Sequence, residues 1–385
     1  LTIRRNLPKF FAEFRPRLEA PLHVGFQNIL VIKLSSMGDV LHALPAVCRL
    51  RDAFPQARLH WLVDDRFAPL LEGHPAVDRF LVAKAPEWAR RFGPLEHVVR
   101  GAAHLTSSRT LRSFGFDLVV DLQGLFKTGV LAASTRAPVR LGFADAREGA
   151  TLAYTHTERV PLAEHAVRRC LRLVERIAGP AASVRFDMPV ASQARSAARK
   201  LLQSCGVAPG QPYLVVAPRT ARAEKDWRLD RFAEVVRHAW RRWRTPSLVV
   251  GGAREERDCK RVAAESDSPA FALTGAPLKT VVAVLEQCRA LVGLDSGPIH
   301  LAAALGKPVV AVFGPTEPGR FAPWGSERLV VRSKASCPAC RTARWAGHLT
   351  HDVLAHRCME SIGAEDVIRA LDEELERGLS ARNAG

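Results

Sequence analysis

Four polar breaks in apolar runs hold the side chains that could do chemistry in this chain. The apolar run from Leu291 stops at Asp295-Ser296-Gly297-Pro298. These are helix-start residues: a side chain able to cap, a flexible Gly, and Pro at the first helical position, where no N–H is missed. Ile299–Leu305 then reads as a short helix stopped by Gly306, and Pro308 opens a strand, Val309–Phe313, that ends in Gly314-Pro315-Thr316. A helix N-terminus at the carboxyl end of a parallel strand suits a phosphate, and His300 in that first turn adds a donor toward a diphosphate or sugar. Ser35-Ser36-Met37-Gly38-Asp39 follows strand Ile29–Leu34, so Asp39 projects at the carboxyl end of a sheet. It serves there as a general base or as a helix-capping carboxylate. Beyond strand Tyr213–Ala217 lie Thr220, Arg222, Lys225 and Trp227. Lys225 suits neutralising a leaving anion and Thr220 hydrogen-bonding to it; the alternative is a solvated loop of surface charges. Gly251 and Gly252 end strand Ser247–Val250 and admit a backbone close to a nucleotide, and Glu255 or Glu256 can accept from ribose hydroxyls.

Strands alternating with helices must position these breaks, which predicts parallel sheets with helices on both faces. Leu59–Val63 and Asp117–Asp121 read as further strands, with helices over Ala163–Ile177, Arg231–Trp243, Glu255–Ala264 and Leu278–Gln287. The helix after Asp39 runs toward Phe54, with Pro45 kinking or restarting it. Four segments follow: a basic amphipathic extension over 1–26, a first Rossmann-like domain over 27–185, a linker over 186–211 and a second Rossmann-like domain over 212–385. In the extension, Leu7, Phe10, Phe11, Phe14 and Leu18 alternate with Arg and Lys, which suits packing on the body or a membrane surface.

The chain has 385 residues, enough for two cores, with 47% hydrophobic and 25% charged residues, which argues against disorder. Its net charge is +17, and only ten of its 56 basic residues are Lys. Arginine forks onto phosphate and carboxylate, so the balance favours anionic partners. No GxGxxG or GxxxxGK[ST] stretch occurs, which argues against a dehydrogenase or an ATPase. No apolar run reaches about 18 residues and no secretory h-region is visible, so a cytoplasmic location is expected.

SSMGDVLHALPAV and DSGPIHLAAALGKPVVAVFGPT resemble the signature motifs of glycosyltransferase family 9, the lipopolysaccharide heptosyltransferases. The resemblance covers roughly residues 28–330 and implies the GT-B fold, two Rossmann-like domains facing a cleft. It implies an inverting, metal-independent transfer needing no cofactor, with ADP-L-glycero-D-manno-heptose as donor. The acceptor implied is a phosphorylated glycolipid, the keto-deoxyoctulosonate (Kdo)-lipid A inner core, met in peripheral contact with the inner membrane. Asp39 is then the base, and Ser36, Gly38, Thr220, Lys225, Glu255 or Glu256, Asp295, Ser296, Gly297 and His300 face the donor. Gln123, Arg140 and Arg147 are acceptor-side candidates, although structural ion pairing is equally open to each arginine. Ala146-Arg147-Glu148 and SSMGDVLH favour the heptosyltransferase I subgroup.

Five of the eight cysteines, Cys48, Cys170, Cys205, Cys259 and Cys288, read as core residues rather than a disulfide framework. Cys337, Cys340 and Cys358 have the look of an incomplete metal site, with His348, His351 or His356 as a fourth ligand. Packed or free thiols are the favoured reading. Other functions stay open at this point: a later heptosyl transfer, a nucleotide-sugar epimerase or hydrolase working without an acceptor, or a basic nucleic-acid or membrane-binding protein. No nucleic-acid-reading motif is present, so nucleic acid is not an expected partner.

Overall fold

The computed structural model describes residues 25–83, 108–333 and 358–383. Most of the 1–26 extension, Cys337, Cys340 and the three histidines between 348 and 356 lie outside the described residues. The chain divides into two units, Leu1–Pro189 and Val190–Gly385.

In the first unit Asn28–Ile32 (β1) is apolar at nearly every position, because it has a parallel neighbour on each edge and is covered on both faces. Those neighbours are Arg58–Asp64 (β2) and Leu118–Asp121 (β4). Arg79–Ala83 (β3), Val139–Phe143 (β5) and His156–Glu158 (β6) complete a described sheet of order β3-β2-β1-β4-β5-β6. Chain order reverses between β1 and β4. Such a reversal is the usual ligand position in doubly wound sheets. Met37–Ala53 (α1) follows β1 as one helix that continues through Pro45, where the sequence predicts a kink or a restart. Phe126–Ser134 (α2) follows β4, and Ala166–Ala178 (α3) packs against α1.

The second unit repeats this order. Its strands are Leu214–Ala217 (β7), Ser247–Gly251 (β8), Ala270–Thr274 (β9), Ala290–Leu294 (β10), Val309–Phe313 (β11) and Val330–Arg332 (β12). They lie in the order β12-β11-β10-β7-β8-β9, and the reversal falls between β7 and β10. The expected linker over 186–211 is corrected here. The boundary falls at Pro189–Val190, and Ser192–Ser204 (α4) belongs to the second unit. It packs on Leu278–Gln287 (α7), with Arg195 donating to both carboxylate oxygens of Glu286 at 2.8 and 2.6 Å. Its buried stripe is only Ala194, Ala198 and Leu202, too weakly apolar to stand out in the sequence. Leu229–Trp243 (α5), Glu256–Glu265 (α6) and Gly297–Ala304 (α8) cover the sheet. Ala364–Asn383 (α9) lays Val367, Leu371 and Leu375 into the core beside α5. No helix among the described residues is long and apolar enough to cross a membrane.

Candidate functional site

Each unit gathers its chemistry-bearing side chains at its own reversal point. In the first unit β1 ends one residue before Lys33, and the Ser35–Ser36 turn leads into α1. Ser36 is the N-cap, and Asp39 is the third helical residue. One Asp39 oxygen, Oδ2, accepts from the Ser36 backbone N–H at 3.0 Å and from Ser36 Oγ at 2.8 Å. The other oxygen, Oδ1, lies 3.9 Å from Lys33 Nζ, and the Asp39 side chain keeps 41% of its surface exposed. The carboxylate therefore does local capping work and still faces solvent; both sequence readings of Asp39 describe the same atom group. Gly38 lies in the same first turn of α1.

The partner loop after β4 is held from beneath. Asp121, fully buried, accepts from the N–H groups of Gln123 and Gly124 at 2.8 and 3.1 Å and from Tyr154 Oη at 2.7 Å. Burial raises the Asp121 carboxyl above the ordinary range, and these donors oppose the rise. Tyr154 reaches Asp121 only because position 142 is Gly: a Cβ there would lie 2.3 Å from the tyrosine ring. Gln123 uses its amide oxygen internally, accepting from Leu34 and Ser35 N–H at 3.1 and 3.3 Å, and so ties the β4 loop to the β1 loop. Arg140 is corrected outright. It is 3% exposed and donates to the Ala153 and Ala137 carbonyls at 2.7 Å each, so it braces the fold and is closed to an acceptor. Arg147 is exposed, and its side chain has no hydrogen bond or ion pair among the described residues.

In the second unit Asp295 is the hub. It follows β10, its side chain is 9% exposed, and it accepts from Lys225 Nζ at 2.5 Å and Thr316 Oγ1 at 2.6 Å. His300 Nε2 lies 3.6 Å from its other oxygen. Burial alone would raise the Asp295 carboxyl, but the neighbouring His300 imidazole and the Lys225 ammonium outweigh it and hold it far below the ordinary range. Three loops meet on this carboxylate, those after β7, β10 and β11. Thr316 reads in the sequence only as part of the Gly314-Pro315-Thr316 turn and not as a site residue; its signal was a hydroxyl in the turn after the strand next to β10. His300 is 7% exposed and serves Asp295, in place of the open donor expected.

The start of α8 also differs from expectation. Ser296 is its N-cap, yet Ser296 Oγ turns back to donate to the Leu294 carbonyl at 3.1 Å, and no side chain caps the helix. The N–H groups of its first turn, Gly297 included, are thereby left for an anion.

Lys225 is placed by its neighbours. Two residues on, Trp227 is 2% exposed, donates from Nε1 to the Ile362 carbonyl at 3.0 Å and meets Phe232 edge-on at 4.9 Å. At the other end of the loop, Arg219 donates to Asp226 at 2.9 Å and to Asp258 on α6 at 2.7 Å. Thr220 closes its own loop, donating to the Arg222 carbonyl at 2.6 Å and accepting from its N–H at 2.9 Å. Its hydroxyl is thus already engaged. The two glutamates separate cleanly: Glu255 turns to the Gly252 N–H at 2.8 Å, at the strand end, whereas Glu256 pairs with Lys260 on the outer face of α6. Cys358 is buried beside Gly314, under the turn that carries Thr316.

Two parallel six-stranded sheets of identical order, each with polar groups gathered at its reversal point, match the α/β GT-B architecture of solved heptosyltransferases. The family model for glycosyltransferase family 9 (heptosyltransferase) matches residues 105–346. Lipopolysaccharide heptosyltransferase 1 of Salmonella typhimurium is 31% identical over 311 residues, covering 80% of this chain and 94% of that protein. The Escherichia coli K12 enzyme of the same name is 30% identical, covering 80% of this chain and 93% of that one. A solved E. coli heptosyltransferase with ADP superposes with a TM-score of 0.68 at 26% identity, over 90% of this chain and 100% of that chain. The chain belongs to glycosyltransferase family 9.

Proposed function

We propose that this enzyme transfers heptose from ADP-L-glycero-D-manno-heptose to the Kdo residue of the lipopolysaccharide inner core, the heptosyltransferase I reaction. The reading is carried by what each unit presents at its own reversal point. The first unit presents a half-exposed carboxylate, Asp39, and the second an anion seat made of Lys225 and the uncapped start of α8. The relatives support the donor and the acceptor: those named above are heptosyltransferases 1, and one solved relative holds ADP.

In the proposed step Asp39 takes the proton of the acceptor hydroxyl while its oxygen attacks the anomeric carbon. The bond from that carbon to the diphosphate oxygen breaks with inversion, and ADP leaves. The N–H groups at the start of α8 and the Lys225 ammonium meet the charge that grows on the diphosphate. Glu255, at the end of β8, is the residue assigned to the ribose hydroxyls, and exposed Arg147 suits an acceptor carboxylate or phosphate. No cofactor is needed for these steps. On this reading the nucleotide-sugar donor puts the protein in the cytoplasm, and the lipid acceptor puts it in peripheral contact with the inner membrane.

The test is product mass spectrometry with ADP-heptose and Kdo-lipid A, with UDP- and GDP-sugars and a heptosylated core as controls. Heptose addition to Kdo-lipid A, lost in Asp39→Asn with ADP binding retained, is the expected result. Transfer only to the heptosylated core would move the reading to a later heptose. Donor turnover without any acceptor would refute transfer altogether.

A further inference from the structure

We infer that Lys33 is a positioning residue for the Asp39 carboxylate; the inference rests on the reading of Asp39 as the base. Lysine is among the residues least often buried without a partner, yet Lys33 is 7% exposed at the end of the central strand. Its backbone is fixed on both sides. Its N–H donates to the Leu62 carbonyl at 3.2 Å, and its carbonyl accepts from the fully buried Trp61 Nε1 at 3.1 Å. Its ammonium donates to the Leu122 carbonyl at 2.7 Å and stands 3.9 Å from Asp39 Oδ1.

Lys33 therefore joins the two loops of the reversal point, one through Leu122 and the other through Asp39. The Asp39 carboxylate is gripped on opposite sides. Ser36 holds Oδ2 through two hydrogen bonds, and the ammonium faces Oδ1 from the sheet. With Ser36 alone, rotation about the Asp39 Cβ–Cγ bond is restrained at one oxygen only. The ammonium, 3.9 Å away and nearly closed to solvent, supplies an electrostatic restraint on the second oxygen. A base that must meet an acceptor proton at hydrogen-bond distance gains from such fixing. In the sequence Lys33 reads only as one position of an apolar strand.

The test compares Lys33→Gln and Lys33→Met with wild type and Asp39→Asn. Lys33→Gln keeps a donor for Leu122 but removes the charge. The expected result is kcat lower by about 10- to 100-fold, within the span of general-base effects, with the acceptor KM and ADP affinity changed by less than about twofold. In the Asp39→Asn background the Lys33 change should lower residual turnover no further, because the two act through one group. An unchanged kcat in folded Lys33→Gln, or equal losses in both backgrounds, overturns the inference. Should both single variants fail to fold, Lys33→Met with Asp39→Asn removes the pair together. Recovery of folding there supports the coupling, and continued failure overturns it. Wild type inactive on Kdo-lipid A instead sinks the functional reading, whereas wild type active and sensitive only at Asp39 sinks the Lys33 role alone.

Discussion

Asp295→Asn is the perturbation that most directly tests the second unit. It leaves the side-chain shape nearly intact and removes one charge from a pair whose side chains are 9% and 14% exposed. Breaking a buried ion pair by removing one partner costs about 3–5 kcal/mol, because the remaining charge is stranded. Two features reduce that here. Asn still accepts from the Thr316 hydroxyl, and the Lys225 ammonium keeps some contact with water. A loss of about 2–3 kcal/mol follows. At about 2–4 °C per kcal/mol for a unit of this size, the melting temperature should fall by about 4–12 °C.

The pH dependence fixes the cause of that loss. The folded Asp295 carboxyl is depressed below its ordinary value of 3.8, so its contribution is fully present above that value and fades as pH falls below it. The wild type should therefore lose stability below about pH 4 more steeply than Asp295→Asn, and the two melting curves should converge in acid. Scanning calorimetry at pH 7 reads the loss, and its extension down to pH 2 reads the narrowing of the gap. A variant melting within about 1 °C of wild type at pH 7, where a 1 kcal/mol loss already shifts it by about 2–4 °C, would refute the hub role of Asp295.

Two further predictions concern the first unit. Gly142→Ala places a Cβ 2.3 Å from the Tyr154 ring, so overpacking should cost about 1–3 kcal/mol, and the melting temperature is the readout; an unshifted melt would show that Tyr154 has another resting place. Arg140→Ala leaves the buried carbonyls of Ala137 and Ala153 without these donors, at about 1–3 kcal/mol each. It should destabilise the protein while leaving the acceptor KM of the folded fraction unchanged, and a tenfold rise in that KM without a melting shift would return Arg140 to the acceptor side.

Much of the architecture was legible because its signals are local. Leu278–Gln287 and Val309–Phe313 stand where the sequence puts them, since helical periodicity in one and a closed apolar run in the other depend on neighbouring residues only. The edge strands β3, β6, β9 and β12 were not singled out. They are short and half-exposed, and only pairing with a strand distant in sequence makes them strands. The same limit applies at the site. Composition and spacing brought out Asp39, Lys225 and Asp295, but whether a polar side chain faces solvent or a neighbour depends on residues far along the chain. Arg140, His300, Thr220 and the amide oxygen of Gln123 all turned out to be engaged internally.

The sequence by itself determined which chemical groups end each strand: a carboxylate after β1, a cation after β7, and an Asp with an anion-seating helix start after β10. Such turns need Gly, Pro, Ser and Asp at fixed offsets, so they are written locally. The tertiary structure decided which of those turns meet. Strand order sets β1 beside β4 and β10 between β7 and β11, and so brings Lys33 to the Leu122 carbonyl, and Lys225 and Thr316 to Asp295. Those partners lie up to 89 residues apart, and no local rule reaches that distance.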